Sequence, residues 1–474
     1  MSESVHRAAN NAKWLALAQL LKVSAQLCSM IFLARLIPLE GYGIIALAFT
    51  VINFLALFRD FGLGSSLIQT NDISDEKISF INAICIVVGI IFGALTIFAA
   101  YIYAYFYNEP KLIYVLLVLA ATFPIMGAST VHQALMEREG QFKKVAFIEV
   151  LSQIVALVLA LILANAGFAE KSIAYQSLIY AIISALGFVS LNKYKVGFSL
   201  KYIENSGLEY GGNLSAFNLV NYLSRNADVL ILSKFFSSAV IGSYSMAYKL
   251  MLLPVQSITF VASRAIFPIL SRLQTDHNAA ARLFINSTSV VAFLAFPVLI
   301  GFWISRADFY HLVMGDKWRS ASALSFWLAP TGLVQALVST TGAVFMSQGK
   351  TSLLFYLGVC GAVLQVSAFI IGVFHGPETV VFLYFIANVL NSVIVMRFAL
   401  SLLDIKFKEL FSSLTPSLLS SFIMALFYCC ISSWSGRDVI RYSVSVLGCI
   451  LIYLSVFYVC FPVFFRRIYK GLSA

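Results

Sequence analysis

Apolar runs of roughly 20 residues recur from one end of the chain to the other, separated by short polar breaks. A helix rising ~1.5 Å per residue needs about 20 such residues to cross the ~30 Å hydrocarbon core of a bilayer. The runs fall near 14–36, 43–68, 80–107, 112–134, 145–165, 171–191, 212–233, 240–264, 283–305, 321–346, 352–374, 378–400, 412–432 and 441–464. Several breaks carry turn chemistry: PLEGYG (38–43), NEP (108–110), HGPE (375–378) and SGRD (435–438). The pattern predicts an all-α polytopic membrane protein with about 14 transmembrane helices. The first run follows the polar, basic stretch MSESVHRAANNAKW and exceeds the ~7–15 residues of a signal-peptide core. It reads as an uncleaved first span.

Composition supports this reading. Of the 474 residues 60% are hydrophobic and 11% charged, and mean hydropathy is +0.90. Soluble domains carry about 25% charged residues. The net charge of +11 does not point to nucleic acid, because the bases lie mostly in short loops. With the N-terminus in the cytoplasm, about nineteen of the 32 Lys/Arg fall on the cytoplasmic side and about nine outside. The richest cytoplasmic segments are MEREGQFKKVA (136–146), NKYKVGFSLKYIE (192–204), DIKFKE (404–409) and FRRIYK (465–470). The outer loop RADFYHLVMGDKWRS (306–320) dissents with three bases. An even number of spans returns the C-terminus to the cytoplasm as well. The seven cysteines sit in apolar runs, are odd in number and form no C-x-x-C. They read as small apolar residues, with neither a disulfide framework nor a metal site expected.

An internal repeat stands at an offset of about 199 residues. LARLIPLEGYGIIALAF (33–49) matches LSKFFSSAVIGSYSMAY (232–248) at Leu33/Leu232, Arg35/Lys234, Gly43/Gly242 and Ala48/Ala247. Each is a helix end, a short outer loop and a glycine opening the next helix. The match pairs spans 1–2 with 7–8 in the same orientation. It implies two six-helix lobes related by a pseudo-two-fold along the membrane normal, plus two C-terminal helices. The expected divisions are an N-terminal lobe at 1–200, a second lobe at 201–405 and an additional helix pair at 406–474.

Charges inside apolar runs mark the candidate site. They are Lys22 in span 1, Arg59 and Asp60 in span 2, Arg225 and Asp228 in span 7, and Lys249 in span 8. Each costs at least ~2.5–3.5 kcal/mol at the bilayer centre, so such residues face a bundle interior or a wet cavity. They come from the repeat-matched spans of both lobes, and a cavity between lobes would collect them. Lys22, Arg59, Arg225 and Lys249 are the expected substrate-binding cations, suited to a phosphate or diphosphate headgroup. Asp60 and Asp228 are coupling or salt-bridge candidates. The structural alternative is that Arg59–Asp60 and Arg225–Asp228 are self-neutralising pairs that pin helix packing. Lys22 and Lys249 have no carboxylate within a helical turn, which favours a functional role for them.

Other features carry less. Gly62-x-Gly64 lacks the strand–turn–helix context of a nucleotide loop, and no G-x-x-x-x-G-K-[ST] occurs. No cofactor, metal or catalytic residue is expected. His132 and Glu149 read as solvated groups near helix ends. Pro124, Pro254, Pro268, Pro297 and Pro330 lie in or beside helices and predict kinks. Tyr101-Ile-Tyr-Ala-Tyr-Phe-Tyr107 reads as an aromatic belt at the outer interface.

Several segments together resemble the Wzx-type polysaccharide repeat-unit flippases, the polysaccharide transporter family of the multidrug/oligosaccharidyl-lipid/polysaccharide exporter superfamily. They are LARLIPLEGYGIIALA (33–48), RDFGLGSSLIQ (59–69), ALMEREGQFKKVAFIE (134–149), NYLSRNADVLILSKFFSSAVIGSYSMAYKLMLLPV (221–255) and RAIFPILSRLQ (264–274). The resemblance implies two six-helix lobes around a V-shaped central cavity in the bacterial inner membrane. It implies alternating-access transfer of undecaprenyl-diphosphate-linked oligosaccharide to the outer leaflet, for O-antigen, capsule or exopolysaccharide. Polysaccharide polymerase and export machinery are its implied partners. The related lipid II flippases carry a basic residue before Leu in a short stretch of helix 8, and KLMLLP (249–254) puts Lys249 there. Their helix 1 arginines are not reproduced at the same spacing, and Lys22 is a loose counterpart. A cation-coupled small-molecule exporter of the same fold would want an acidic cavity, and the charges here lean basic. A membrane polymerase or glycosyltransferase would need catalytic carboxylates or histidines on a sizeable loop, and the longest loops are about 20 residues.

Overall fold

A computed structural model describes residues 19, 21–59, 64, 67–68, 74–194, 196–201, 226–274, 276–432, 438–462 and 464. Among them the chain is helical throughout, with no strand. Helix α1 covers residues 21–36. It is followed by α2 (Leu39–Arg59), α3 (Asp75–Tyr107), α4 (Lys111–Ala120), α5 (Thr122–Arg138), α6 (Phe142–Leu163) and α7 (Ala169–Leu191). Helix α8 covers residues 226–235. The remainder are α9 (Ser238–Arg272), α10 (His277–Asp308), α11 (Arg319–Val338), α12 (Thr341–Ser347), α13 (Thr351–Gly372), α14 (Pro377–Leu402), α15 (Phe407–Ser432) and α16 (Val439–Cys460). Ten segments among the described residues are long and apolar enough to cross a membrane. The protein is a multi-pass, all-α membrane protein. The chain forms two compact units, Met1–Gly242 and Ser243–Ala474.

Local chemistry sets the helix limits. Ser74 caps α3 by accepting from the Lys77 N–H at 3.2 Å, with Asp75 and Glu76 in the first turn. Asp276 caps α10 through the Ala279 N–H at 2.9 Å. Pro377 opens α14, where its missing N–H costs nothing. The helices outrun the apolar runs at such ends: α10 begins at His277 and α9 continues to Arg272. Hydropathy registers the lipid thickness, whereas helical hydrogen bonding continues past it. The α4–α5 interruption at Ala121 lies three residues before Pro124, which has no N–H to give the Ala120 carbonyl. Pro297 and Pro330 sit inside α10 and α11.

The sequence repeat has a structural counterpart. Helix breaks fall at residues 37–38 and 236–237, 199 positions apart. A Cβ on Gly43 would stand 1.9 Å from the Ser238 carbonyl oxygen, and one on Gly242 would stand 2.0 Å from that of Leu39. Leu39 and Ser238 are themselves 199 apart, so the crossing of α2 with the first turns of α9 is reciprocal. Only glycine permits backbones to meet this closely. Later in the chain the offset becomes 209: Gly140 (φ 70) answers Gly349 (φ 66), and Gly167 (φ 85) answers Gly376 (φ 103). Most of the shift accumulates across the turns at 309–318, ten residues against the three of the short turn at 108–110 in the first copy.

Within the first unit the core joins α2, α4 and α7 through Ile44, Ile45, Leu47, Val115, Leu116, Leu119 and Ala174. Within the second, Ile266, Leu270, Phe284, Phe296, Val344 and Leu400 form the corresponding centre. Helices α15 and α16 join α10 through Met424, Tyr428, Tyr453 and Phe457 packed on Phe293 and Ile300. The Tyr453 hydroxyl donates to the Phe293 carbonyl at 2.8 Å, and Tyr428 donates to Asp308 at 2.7 Å.

Candidate functional site

Lys22 lies on α1 and forms an ion pair with Glu149 of α6. Their side chains are 32% and 19% exposed, so the pair is neither sealed nor at a free surface. Lys22 has no carboxylate within a helical turn, as the sequence shows, but it finds one across the fold, and Glu149 is an ion-pair partner rather than a free solvated end group. Sequence proximity tests only positions within a helical turn, and Glu149 arrives from a helix 127 residues away. Seven residues along α1, on the same face as Lys22, Ser29 shares a hydrogen bond with Gln176 of α7 at 3.0 Å. Tyr180, one turn beyond Gln176, lies within electrostatic reach of Glu149. His132, also expected to be solvated, bonds Asn192 at 2.9 Å.

The other expected residues divide. Arg59 is the last residue of α2. The Arg59 side chain, Asp60 and Arg225 lie outside the described residues. Asp228 is buried in α8, where its carboxylate accepts from the Val229 N–H at 2.7 Å. Lys249 lies on α9 two positions after seven buried residues, 241–247, yet is itself exposed. Lys22 and Asp228 belong to the first unit and Lys249 to the second. Lys234, the repeat counterpart of Arg35, donates to the Phe106 carbonyl at 3.0 Å and sits 4.2 Å from that ring. A cation there complements the negative end of α3.

Beside Lys249 is a cluster that a search for charges misses. Tyr248 stacks on Tyr244 and approaches Tyr384 of α14, with ring centroids 5.9 and 6.3 Å apart. The Gln335 amide of α11 donates to the Tyr384 hydroxyl and to Asn388 Oδ1, both at 3.0 Å. The Asn388 amide returns to the Tyr384 carbonyl at 2.8 Å. The signal in sequence was a set of amides and tyrosines inside apolar runs. These groups carry no charge and show their purpose only once helices are neighbours.

Residues 32–323 match the family model described as polysaccharide biosynthesis protein. The chain belongs to that family. The matched region of this polysaccharide biosynthesis protein includes Glu149, Asp228, Lys249 and the Gly43–Gly242 crossing, and begins after Lys22. The chain is 25% identical to the lipopolysaccharide biosynthesis protein WzxC of Escherichia coli (strain K12) over 77% of this chain and 74% of that protein. It is 24% identical to the teichuronic acid biosynthesis protein TuaB of Bacillus subtilis (strain 168), over 96% and 95%. It is also 24% identical to the succinoglycan biosynthesis transport protein ExoT of Rhizobium meliloti (strain 1021), over 77% and 74%. Its fold is similar to that of the lipid II flippase MurJ in an inward closed conformation. The TM-score is 0.73 at 14% identity, covering 94% of this chain and 98% of that one. An inward-facing multidrug resistance MATE family transporter gives 0.64 at 16% identity, over 81% and 94%.

Proposed function

We propose that the protein is a flippase that moves undecaprenyl-diphosphate-linked oligosaccharide repeat units from the cytoplasmic to the outer leaflet of the bacterial inner membrane. The observation that carries this reading is a lipid II flippase fold, matched over nearly the whole length, in a chain of the polysaccharide biosynthesis family. The roles for which the relatives are named, lipopolysaccharide, teichuronic acid and succinoglycan biosynthesis, support a saccharide cargo.

The cargo is a sugar chain on a diphosphate and a long apolar tail. The tail remains in lipid while the headgroup occupies a cationic cavity. Lys22, Arg59, Arg225 and Lys249 are assigned to the diphosphate, and Asp60 or Asp228 to coupling or charge balance. Fourteen crossings follow when the segment Phe142–Leu191 is counted as two and α1, α8 and α9 as one each. Both termini then lie in the cytoplasm. The protein supplies access and no bond chemistry, and polysaccharide polymerase and export machinery would receive its product. An ion gradient, the membrane potential or downstream consumption drives the step; one charge moved across 100 mV is worth about 2.3 kcal/mol.

Deleting the gene and locating lipid-linked repeat units tests the reading. Complete units are expected to accumulate on the cytoplasmic face. Failure to assemble the units would assign the protein to synthesis, and normal polymer output would refute both.

A further inference from the structure

We propose that Glu149 is a built-in competitor for the anionic headgroup at Lys22, so that cargo binds by displacing the protein's own carboxylate. This rests on the flippase reading above and adds a site within residues 1–242. The face of α1 carrying Lys22, Gln26 and Ser29 is polar at positions i, i+4 and i+7. Across from it stand Glu149 of α6 and, on α7, Gln176 and Tyr180. Lys22 with Glu149, and Ser29 with Gln176, make a polar seam in helices whose other surfaces are largely apolar.

The seam combines two recognition chemistries. Amide, serine and tyrosine groups exchange hydrogen bonds with sugar hydroxyls. The Lys22 ammonium binds oxyanions, and a carboxylate and a phosphate present it with the same charge-assisted contact. Glu149 already occupies that contact. An ion pair removed from water would be a fixed structural pin, because separating it leaves two uncompensated charges. This pair is partly exposed on both sides. An incoming diphosphate therefore reaches Lys22 and takes the place of Glu149, which turns to water and to Tyr180. When the cargo leaves, Glu149 closes on Lys22 again. A carrier must release what it binds, and an internal anion that reclaims the cation keeps the bound state from becoming a trap.

The test is binding of undecaprenyl diphosphate to the purified full-length protein in nanodiscs, with undecaprenol as the neutral comparison. Glu149→Gln removes the competitor and keeps the shape. It is expected to tighten binding of the diphosphate lipid roughly tenfold, the worth of one charge-assisted hydrogen bond. Binding of undecaprenol should not change. Glu149→Asp, with a shorter reach, should tighten binding to a lesser degree and serves if the Gln variant folds poorly. Lys22→Ala should weaken binding, and adding Glu149→Gln to it should change nothing further. A purely structural pair predicts the opposite sign, weaker binding and lower thermal stability in the Glu149 variants. Equal or weaker binding in both Glu149 variants overturns the inference while leaving the flippase reading intact. If the wild type does not distinguish the diphosphate from undecaprenol, the headgroup reading itself falls, and this inference with it.

Discussion

Gly43 and Gly242 show how much one side chain decides. Their Cβ positions would overlap backbone carbonyls, which cannot rotate away as a flexible side chain would. Either Gly43→Ala or Gly242→Ala must push α2 and α9 apart. Overpacking of this kind costs about 1–3 kcal/mol. Thermal unfolding in detergent should show a lower midpoint and less folded protein for each. Gly358→Ala, with nothing within 4 Å of the new methyl, should not lower it. Lys249 is the second residue to test. Lys249→Ala at normal protein level should reduce polymer export about tenfold or more, the loss of one charge-assisted contact of ~1.5–3 kcal/mol. Lys249→Arg should restore much of it. Unimpaired export in the alanine variant would remove Lys249 from the headgroup site.

Single helices here are apolar nearly all round, so their mutual order depends on a few polar contacts. In lipid these are worth about 0.6–2 kcal/mol each. Tyr384→Phe removes the hydroxyl that receives the Gln335 amide between α11 and α14. Its unfolding midpoint should fall by a few degrees, which a thermal melt would resolve. Helices α15 and α16 are attached to α10 by Tyr428, Tyr453 and the aromatic cluster at Phe293 and Phe457. Truncation after residue 405 exposes that face of α10, and the shortened chain should aggregate on size-exclusion chromatography. Most span positions were legible in the sequence because each is a 20-residue apolar run: 171–191 was expected where α7 ends at Leu191, and 378–400 where α14 runs from Pro377 to Leu402. Helix ends were less legible because caps and polar first turns lie outside the hydrophobic signal. The second half of the repeat was hidden for a similar reason. About seven extra residues after Asp308 supply most of the move from 199 to 209, and a search at one fixed offset loses the match.

For the molecule as a whole, the charge distribution makes an orientation prediction. In a background without native cysteines, single cysteines at the turns near Gly140 and Asp404 should react with an impermeant thiol reagent only from the cytoplasmic side. Those near Asn108 and Gly376 should react from the outside; the reverse pattern would invert the topology. Amino-acid order alone determined that this chain lives in lipid, that it is helical, where most spans lie and that its two halves share a pattern. Those properties follow from the length, apolarity and spacing of contiguous residues. Tertiary structure decided that Lys22 meets Glu149, that Gln335, Tyr384 and Asn388 form one network, and that Gly43 and Gly242 admit each other's backbones. Each of these joins residues dozens to about two hundred positions apart. Lipid is equally favourable to every apolar helix face, so hydropathy cannot say which faces meet; close packing and polar pairing do.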